Sequence, residues 1–256
     1  YKQNPQDEIF NNFTHHQMIG IQYFHDIESR IPYKEINDIE NYLLKIVRSI
    51  DKNLNITICG SYRRKKKDSG DIDILITHKD VLRLKEIEEI DYLPELISLL
   101  KKNKFIVDDL TYNGNTKYMG MCRFKDNPAR RIDIRFIPLE CYGAALLYFT
   151  GSGEFNKNMR TFALKNGYTI NEYGIYKLKE IEENGKKKKV KGLKIKANTE
   201  EDIFKILDMV YVEPKERTQF IKFTWINLFE SLLELTYLKN LFKNIFILIN
   251  KEKVWI

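Results

Sequence analysis

The stretch Gly70-Asp-Ile-Asp-Ile-Leu-Ile-Thr77 decides the fold, because polar and apolar side chains alternate strictly at its start. In a β-strand, side chains two residues apart lie on the same face. Asp71 and Asp73 therefore project together from one face, while the isoleucines beside them project into a core. Two neighbouring carboxylates are costly to bury unless a positive charge lies between them, and a divalent metal ion supplies that charge directly.

Residues 130–137 repeat this pattern as Arg-Arg-Ile-Asp-Ile-Arg-Phe-Ile. Arg131, Asp133 and Arg135 would share one face of the strand, with the isoleucines against the core. If this strand lies beside the first, Asp133 joins the other two aspartates, and three carboxylates can hold two Mg²⁺ ions, or Mn²⁺ in their place. That layout is typical of two-metal phosphoryl transfer, in which one ion activates a 3′-hydroxyl and the other stabilises the triphosphate.

A basic loop precedes the first strand. It opens with Gly60-Ser61 at a predicted helix start, where backbone N–H groups can bind phosphate, and it continues through Arg63 and Arg64 to the lysines at 65–67. Together with the aspartates, this spacing indicates a nucleotidyltransferase. The alternative is a structural acidic strand that follows a solvated basic turn.

Composition bounds the classes of function. The 256 residues, of which 43% are hydrophobic, are enough for one or two domains with a hydrophobic core. The 43 Lys and Arg against 36 Asp and Glu give a net charge of +7, which suits a phosphate-backbone partner without requiring one. Cys59, Cys122 and Cys141 have neither disulfide-framework nor zinc-ligand spacing, so a reducing compartment is expected. No apolar run reaches the roughly twenty residues of a membrane span.

Periodicity predicts helices and strands in both halves of the chain. Helices are predicted within 1–29 and at 36–50, 79–102, 141–149, 155–165 and 200–210, and strands at 55–59, 70–77, 104–110, 116–124, 130–137 and 168–178. Residues 184–194 are interpreted as a Gly- and Lys-rich connector. Within it, Lys186–Lys189 is a DNA contact, part of a nuclear import signal or, as the pattern favours, a solvated hairpin loop. The apolar tail 218–256 has helical spacing and is predicted to pack on a neighbour.

Seven short motifs follow one another in a fixed order: Cys59–Arg64, Gly70–His78, Arg130–Arg135, Leu147–Ser152, Phe155–Arg160, Gly167–Tyr173 and Glu213–Arg217. Together they resemble the X family of DNA polymerases, the family of DNA polymerase beta, over residues 14–217. The resemblance implies an α+β fold. A nucleotidyltransferase palm with a mostly antiparallel or mixed sheet is flanked by a helical DNA-binding remnant and a small α+β nucleotide-binding subdomain. The implied domains are a partial helix-hairpin-helix subdomain at 1–32, the palm at 33–139, the closing subdomain at 140–217 and an apolar tail of unknown role at 218–256.

The resemblance also implies roles for single residues. The catalytic residues and metal ligands are Asp71, Asp73 and Asp133. The nucleotide-binding positions are Arg30, Gly60, Ser61, Arg64, Gly70, Tyr148, Phe149, Gly151 and Asn156. The DNA-binding positions are Arg131, Lys157 and Arg160, and the conformational hinge that couples closing to assembly of the metal site is Arg135, Glu172 and Tyr173. Independently, an Asn side chain can bond the minor-groove acceptors that all base pairs share, and basic residues one helical turn apart can follow a phosphate backbone.

The expected activity is that of a DNA-directed DNA polymerase, with gapped or primed DNA and deoxynucleoside triphosphates as substrates. The resemblance favours short-gap filling in base excision repair, a nuclear location with an organelle as the alternative, repair proteins as further partners, no membrane association and a monomeric state. Two other hypotheses stay open. One is a template-independent terminal transferase or RNA-tailing relative, and the other is a non-catalytic DNA-binding module. The short connection between the palm strands, with Asn156, Lys157 and Arg160, favours template use.

Several features depart from the family pattern. The chain begins without Met and inside the second helix-hairpin-helix unit, so it is expected to be a fragment of a longer product. The Gly-rich hairpin and a lyase lysine have no counterpart, and lyase activity is not predicted for this chain. Lys65–Lys67 replaces a Gly-containing turn, and Gly153 stands where an acidic side chain is usual, which would alter nucleotide affinity or fidelity.

Overall fold

The structure is a computed structural model that describes residues 13–183 and 186–217. The predicted apolar tail at 218–256 lies outside the described residues, as do residues 1–12 of the first predicted helical segment.

A five-stranded sheet positions the acidic residues. Its strands, in spatial order, are β2 (Leu54–Ile58), β4 (Ile72–His78), β7 (Arg130–Phe136), β6 (Lys117–Cys122) and β5 (Ile106–Asn113). Strands β4 and β7 run parallel, and the other neighbours run antiparallel. The predicted α+β class with a mixed sheet is therefore confirmed.

Helices cover the isoleucine face of this sheet. The helices of this part are α1 (His15–Gln22), α2 (Phe24–Glu28), α3 (Tyr33–Ile50), α4 (Gly60–Arg63), α5 (Leu84–Ile87) and α6 (Tyr92–Lys102). In α3, the buried residues Ile36, Ile39, Leu43 and Val47 recur at helical spacing, so one stripe of the helix faces the core. They share a single apolar cluster with the inward side chains of β4 and β7, so α3 covers the face of the sheet opposite the aspartates.

The second half of the described chain has its own smaller sheet. Its elements are α7 (Tyr142–Thr150), α8 (Gly153–Lys165), β8 (Tyr168–Asn171), β9 (Gly174–Glu183), β10 (Lys186–Ile195) and α9 (Glu200–Ile206). The three strands form an antiparallel sheet in the order β10, β9, β8. Two-residue strands β1 (Ile31–Pro32) and β3 (Asp68–Ser69) pair with each other, and 3-10 helices span Leu139–Cys141 and Pro214–Glu216.

One predicted helix is divided in the structure. Residues 79–102 were expected to be continuous, but α5 ends at Ile87 and α6 begins at Tyr92. A continuous helix would place Pro94 in its interior, where proline removes a hydrogen bond and clashes with the preceding turn. By starting at Tyr92, α6 keeps this proline in its first turn, where no backbone N–H is needed.

The predicted strand 168–178 and the connector 184–194 are also wrong in detail. A turn after Asn171 divides the strand into β8 and β9, and the Asn171 side chain accepts a hydrogen bond from the Tyr173 backbone N–H. The lysine-rich segment is strand β10, in which Lys187 lies opposite Glu182 and Lys189 opposite Glu180. Opposite charges across the two strands favour pairing, so Lys186–Lys189 lies in a strand and not in a solvated loop.

Candidate active site

The parallel register of β4 and β7 brings the acidic residues together. Asp73 is the direct cross-strand partner of Asp133, and neighbouring strands lie about 4.8 Å apart. Asp71 lies two residues before Asp73 on the same side. All three line an open cavity of about 700 Å³ whose opposite wall is formed by the end of α7 and by α8.

Burial dominates the electrostatics of these carboxylates, although several cations lie nearby. Burial and, to a smaller extent, the charges of Asp71 and Asp133 together raise the pKa of Asp73 to about 7, while Arg131 and Arg64 oppose the shift. Burial also raises the pKa of Asp133, although nearby cations oppose the shift. Among the described residues, Asp133 Oδ1 is buried and has no hydrogen-bond partner. A buried carboxylate oxygen without a donor fits a cation.

The oxygen donors suit Mg²⁺ or Mn²⁺, which prefer carboxylate and water ligands. As the side chains stand, however, no three acidic, histidine or cysteine side chains in the described part of the chain enclose a metal position. Asp71 is instead paired with Arg131. The residues therefore fit a divalent cation in chemistry, and Asp71 would exchange its arginine partner for the cation.

Gly60 allows helix α4 to approach the acidic strand. A Cβ at this position would lie 2.5 Å from Asp73 Oδ2, and the backbone has a φ of +53°. The backbone N–H of Cys59 also donates to the Asp73 carbonyl oxygen at 2.8 Å. The positive φ and the close approach to Asp73 both require glycine at this position. The start of α4 therefore packs directly against the Asp73 carboxylate.

Ser61 and Arg64 extend this wall of the cavity. Arg64 Nη2 donates to Ser61 Oγ at 3.1 Å, and Arg64 Nη1 donates to the Thr150 carbonyl oxygen at 2.5 Å. Burial lowers the pKa of Arg64, as expected for a partly desolvated cation. Arg64 thus connects α4 to the end of α7. Its positive charge faces the cavity that the aspartates line.

Two predicted phosphate ligands, Arg30 and Gly70, do not line this cavity. Arg30 and Gly70 are neighbours, since a Cβ on Gly70 would lie 2.9 Å from Arg30 Nη1. Arg30 is held by Asp68 through an ion pair of 2.8 Å. Neither residue lines the cavity that contains the aspartates. The structure therefore places them beside each other, with Gly70 directly before Asp71 in the chain, and their role in phosphate binding stays a prediction.

Helices α7 and α8 bring most of the remaining predicted residues to the cavity, namely Tyr148, Phe149, Gly151, Asn156, Lys157 and Arg160. Asn156 Nδ2 donates to the Tyr148 carbonyl oxygen at 2.6 Å, and the Arg160 guanidinium lies 4.8 Å from the centre of the Tyr148 ring. Tyr148 therefore orients both polar side chains, and the Asn156 amide is engaged within the protein.

The predicted hinge residues are not joined to one another by ion pairs. The Arg135 guanidinium lies 5.5 Å from the centre of the Phe149 ring, and within the described residues its buried Nε has no hydrogen-bond partner. Arg135 forms no ion pair with Glu172. Tyr173 and Phe149 pack against the same small apolar cluster, which includes Leu75. Phe149 therefore connects Arg135 to the apolar cluster on which Tyr173 packs.

A buried ion-pair network, missed at the sequence level, connects α4 to α9. Arg63 donates to both Glu200 carboxylate oxygens, at 3.0 and 2.6 Å, and to Thr150 Oγ1 at 2.6 Å. Arg217, which is fully buried, donates to Glu200 Oε1 at 2.5 Å. Burial alone would raise the pKa of Glu200, but its bonds to the two arginines outweigh burial and lower it. No local pattern reveals a partner 137 residues away, although Arg63 and Arg217 both lie in quoted motifs.

The fold and the carboxylate cavity are those of a nucleotidyltransferase palm with an attached second subdomain. Residues 30–139 match the family model of the DNA polymerase beta palm, and residues 145–218 match that of the DNA polymerase beta thumb. The chain belongs to the X family of DNA polymerases.

Curated relatives match most of the chain. DNA polymerase lambda of Rattus norvegicus is 35% identical over 213 residues, covering 80% of this chain and 36% of the relative. DNA polymerase lambda of Arabidopsis thaliana is 30% identical over 217 residues, covering 81% and 40%. DNA nucleotidylexotransferase of Gallus gallus is 29% identical over 228 residues, covering 78% and 43%. The chain thus spans less than half the length of these relatives.

Proposed function

We propose that this chain is the catalytic part of a DNA-directed DNA polymerase that adds deoxynucleotides to a primer 3′-hydroxyl. The observation that carries the proposal is the cross-strand pair of Asp73 and Asp133, with Asp71 on the same side, in one cavity with Ser61 and Arg64. Carboxylates beside a cationic wall suit a triphosphate held by metal ions.

Asp71, Asp73 and Asp133 would hold two divalent ions, Mg²⁺ or Mn²⁺, which supply activation of the hydroxyl and stabilisation of the triphosphate charge. Other steps belong to the chain itself. Ser61 and Arg64 bind phosphate oxygens from the α4 side. The Asp133 carboxylate also accepts the hydroxyl proton. Tyr148 and Phe149 bound the space that the sugar occupies.

Template use is supported by the polar side chains of α8. Asn156 reads the shared minor-groove acceptors of a base pair once a nucleotide displaces its bond to Tyr148. Lys157 and Arg160 lie one helical turn apart in the same cavity wall and follow the template backbone. The connection between β5 and β6 spans residues 114–116 and is too short to occupy the template position.

Cellular role and organisation form a further part of the proposal. The chain fills short gaps in base excision repair, in the nucleus, as a monomer that works with other repair proteins. A DNA-binding subdomain spans 1–32, the palm 33–139 and the closing subdomain 140–217; the matched palm and thumb ranges support the last two of these boundaries. Within the described residues, no helix is both long and apolar enough to cross a membrane.

A template-independent terminal transferase is the second candidate, because a relative named DNA nucleotidylexotransferase matches 78% of this chain. Insertion into a one-nucleotide gap, measured with Mg²⁺ and each template base in turn, separates the two. We expect the complementary deoxynucleotide to be inserted at each template base. Insertion of the same nucleotide opposite all four bases would overturn template use, and absence of insertion by folded, DNA-bound protein would overturn the enzymatic proposal.

A further inference from the structure

A second cavity of similar size lies at the start of β5, the edge strand of the five-stranded sheet. It has a volume of about 710 Å³ and is formed by α3, the end of α6, the start of β5 and the segment after β6. Its aromatic residues pack against the core that covers the isoleucine face, whereas the aspartates lie on the other face. The two cavities share no lining residue, so this one is not an extension of the polymerase cleft.

Three aromatic rings form the apolar part of this cavity. The Tyr42 ring centre lies 5.2 Å from that of Phe105 and 5.6 Å from that of Phe124. Phe105 is buried beneath, while Tyr42 and Phe124 are only half-buried. Exposed faces of neighbouring aromatic rings are the kind of surface on which nucleic-acid bases stack.

Four cations surround these rings, and no acidic residue lines the cavity. Lys101 is paired with Asp109, and Arg123 lies 3.9 Å from Asp26, so both are partly neutralised. Lys104 and Lys125 form no ion pair with another described residue. Positive charge therefore remains uncompensated around a concave aromatic surface.

The cations lie on two chain segments that run side by side past the rings. The backbone N–H of Arg123 donates to the Phe105 carbonyl oxygen at 2.7 Å, which joins the segments. Lys104 precedes one ring and Lys125 follows another, with the Lys125 ammonium 5.0 Å from the centre of the Phe124 ring. An anion with charges on either side of a flat apolar group would match this arrangement.

We propose that this cavity is a second nucleic-acid site that holds an unpaired strand. Bases would stack on Tyr42 and Phe124, and the flanking phosphates would pair with Lys104 and Lys125. Duplex DNA would leave the rings unused, because its bases are stacked internally. A bare phosphate would use the cations alone. An unpaired strand is the ligand that would use both the aromatic rings and the cations.

The test is fluorescence anisotropy with a labelled eight-nucleotide oligothymidylate and the full chain, with and without excess unlabelled gapped duplex to fill the catalytic cleft. We expect a bound fraction that the duplex does not displace. The double variant Lys104→Glu/Lys125→Glu should weaken that fraction by about tenfold or more. The matched variant Lys52→Glu/Lys79→Glu, which makes the same charge change at exposed positions outside both cavities, should change it less than about threefold.

A second pair of variants tests the stacking surface. Tyr42→Leu/Phe124→Leu keeps apolar contacts with the core but removes the flat rings, and it should weaken the same fraction while leaving the chain folded by circular dichroism. Complete displacement by the duplex, or an equal loss in the control pair, would overturn the proposal. So would equal competition by inorganic tripolyphosphate and by unlabelled oligothymidylate, since the site would then bind charge alone. None of these readouts depends on polymerase activity.

Discussion

Asp73 lies between two other carboxylates, and this position governs the electrostatics of the cavity. Burial, followed by the charges of Asp71 and Asp133, raises its pKa to about 7, well above the ordinary value of an aspartate. In the metal-free protein, Asp73 therefore binds its proton more tightly in the folded than in the unfolded state. The stabilisation is complete below the unfolded pKa, and it is lost as the pH rises through about 7.

The first prediction is that Asp73→Asn removes this pH dependence. In the presence of a chelator, the variant should be more stable than the native chain at pH 8 by roughly 1–3 kcal/mol, with little difference at pH 4. Urea unfolding at both pH values measures this. Asp38→Asn, at an exposed ion pair with Lys34, is the control and should keep the native slope. An unchanged slope in Asp73→Asn would show that the carboxyl is not perturbed.

The second prediction concerns Gly60, whose missing side chain makes room for Asp73. Gly60→Ala should cost about 1–2 kcal/mol of stability from the left-handed backbone and should also displace the carboxylate, so that nucleotide insertion falls at least about tenfold. Gly114→Ala is the matched control, because its φ is +56° but no atom lies within 4 Å of the added Cβ. Equal losses in activity for the two variants would mean that the contact with Asp73 is unimportant.

Buried ion pairs connect helix α4 to helix α9 and to Arg217. Glu200 is 3% exposed and Arg217 is fully buried, so each depends on the other for neutralisation. Arg63 joins α4 to this pair, and Arg64 joins it to the end of α7. The cavity wall that carries Ser61 and Arg64 is therefore held by a network that spans α4, α7 and α9.

The third prediction is that Glu200→Gln destabilises the chain by about 3–5 kcal/mol, because it leaves buried arginines without a counter-charge. Thermal or urea unfolding measures the loss. Adding Arg217→Met should recover part of it, since one unpaired charge is then removed. Asp38→Asn, which breaks an exposed pair, should cost less than about 1 kcal/mol. A loss as small as that of the control would contradict a structural role for the network.

Helices and strands that are determined by a local pattern of polar and apolar residues could be predicted from the sequence. Alternation identified β4 and β7, and helical spacing identified α3 and α8. Pairings between distant segments were not predictable: the alignment of Asp73 with Asp133 depends on strand order, and the Glu200 network joins residues far apart in the chain. Strand β10 was missed because its lysines lack apolar alternation, and its pairing depends on glutamates in β9.

At the scale of the whole described chain, the cavity is built from both halves. The five-stranded sheet and α4 contribute carboxylates, Ser61 and Arg64, and helices α7 and α8 contribute aromatic and cationic side chains. The proposed metal and phosphate ligands lie on the wall formed by the sheet and α4. The residues proposed to contact the sugar, the base and the template lie on the wall formed by α7 and α8. The central claim is that the aspartates of β4 and β7 together perform nucleotidyl transfer.

The most direct test is single-turnover insertion of one deoxynucleotide into gapped DNA with Mg²⁺, comparing the native chain with Asp133→Asn and Asp38→Asn. We expect Asp133→Asn to lower the rate of nucleotide insertion at least about 100-fold, while the variant still folds and binds the gapped DNA. Asp38→Asn should retain the native rate. If folded Asp133→Asn inserted the nucleotide at a rate similar to that of the native chain, the assignment of this cavity as the catalytic centre would be wrong.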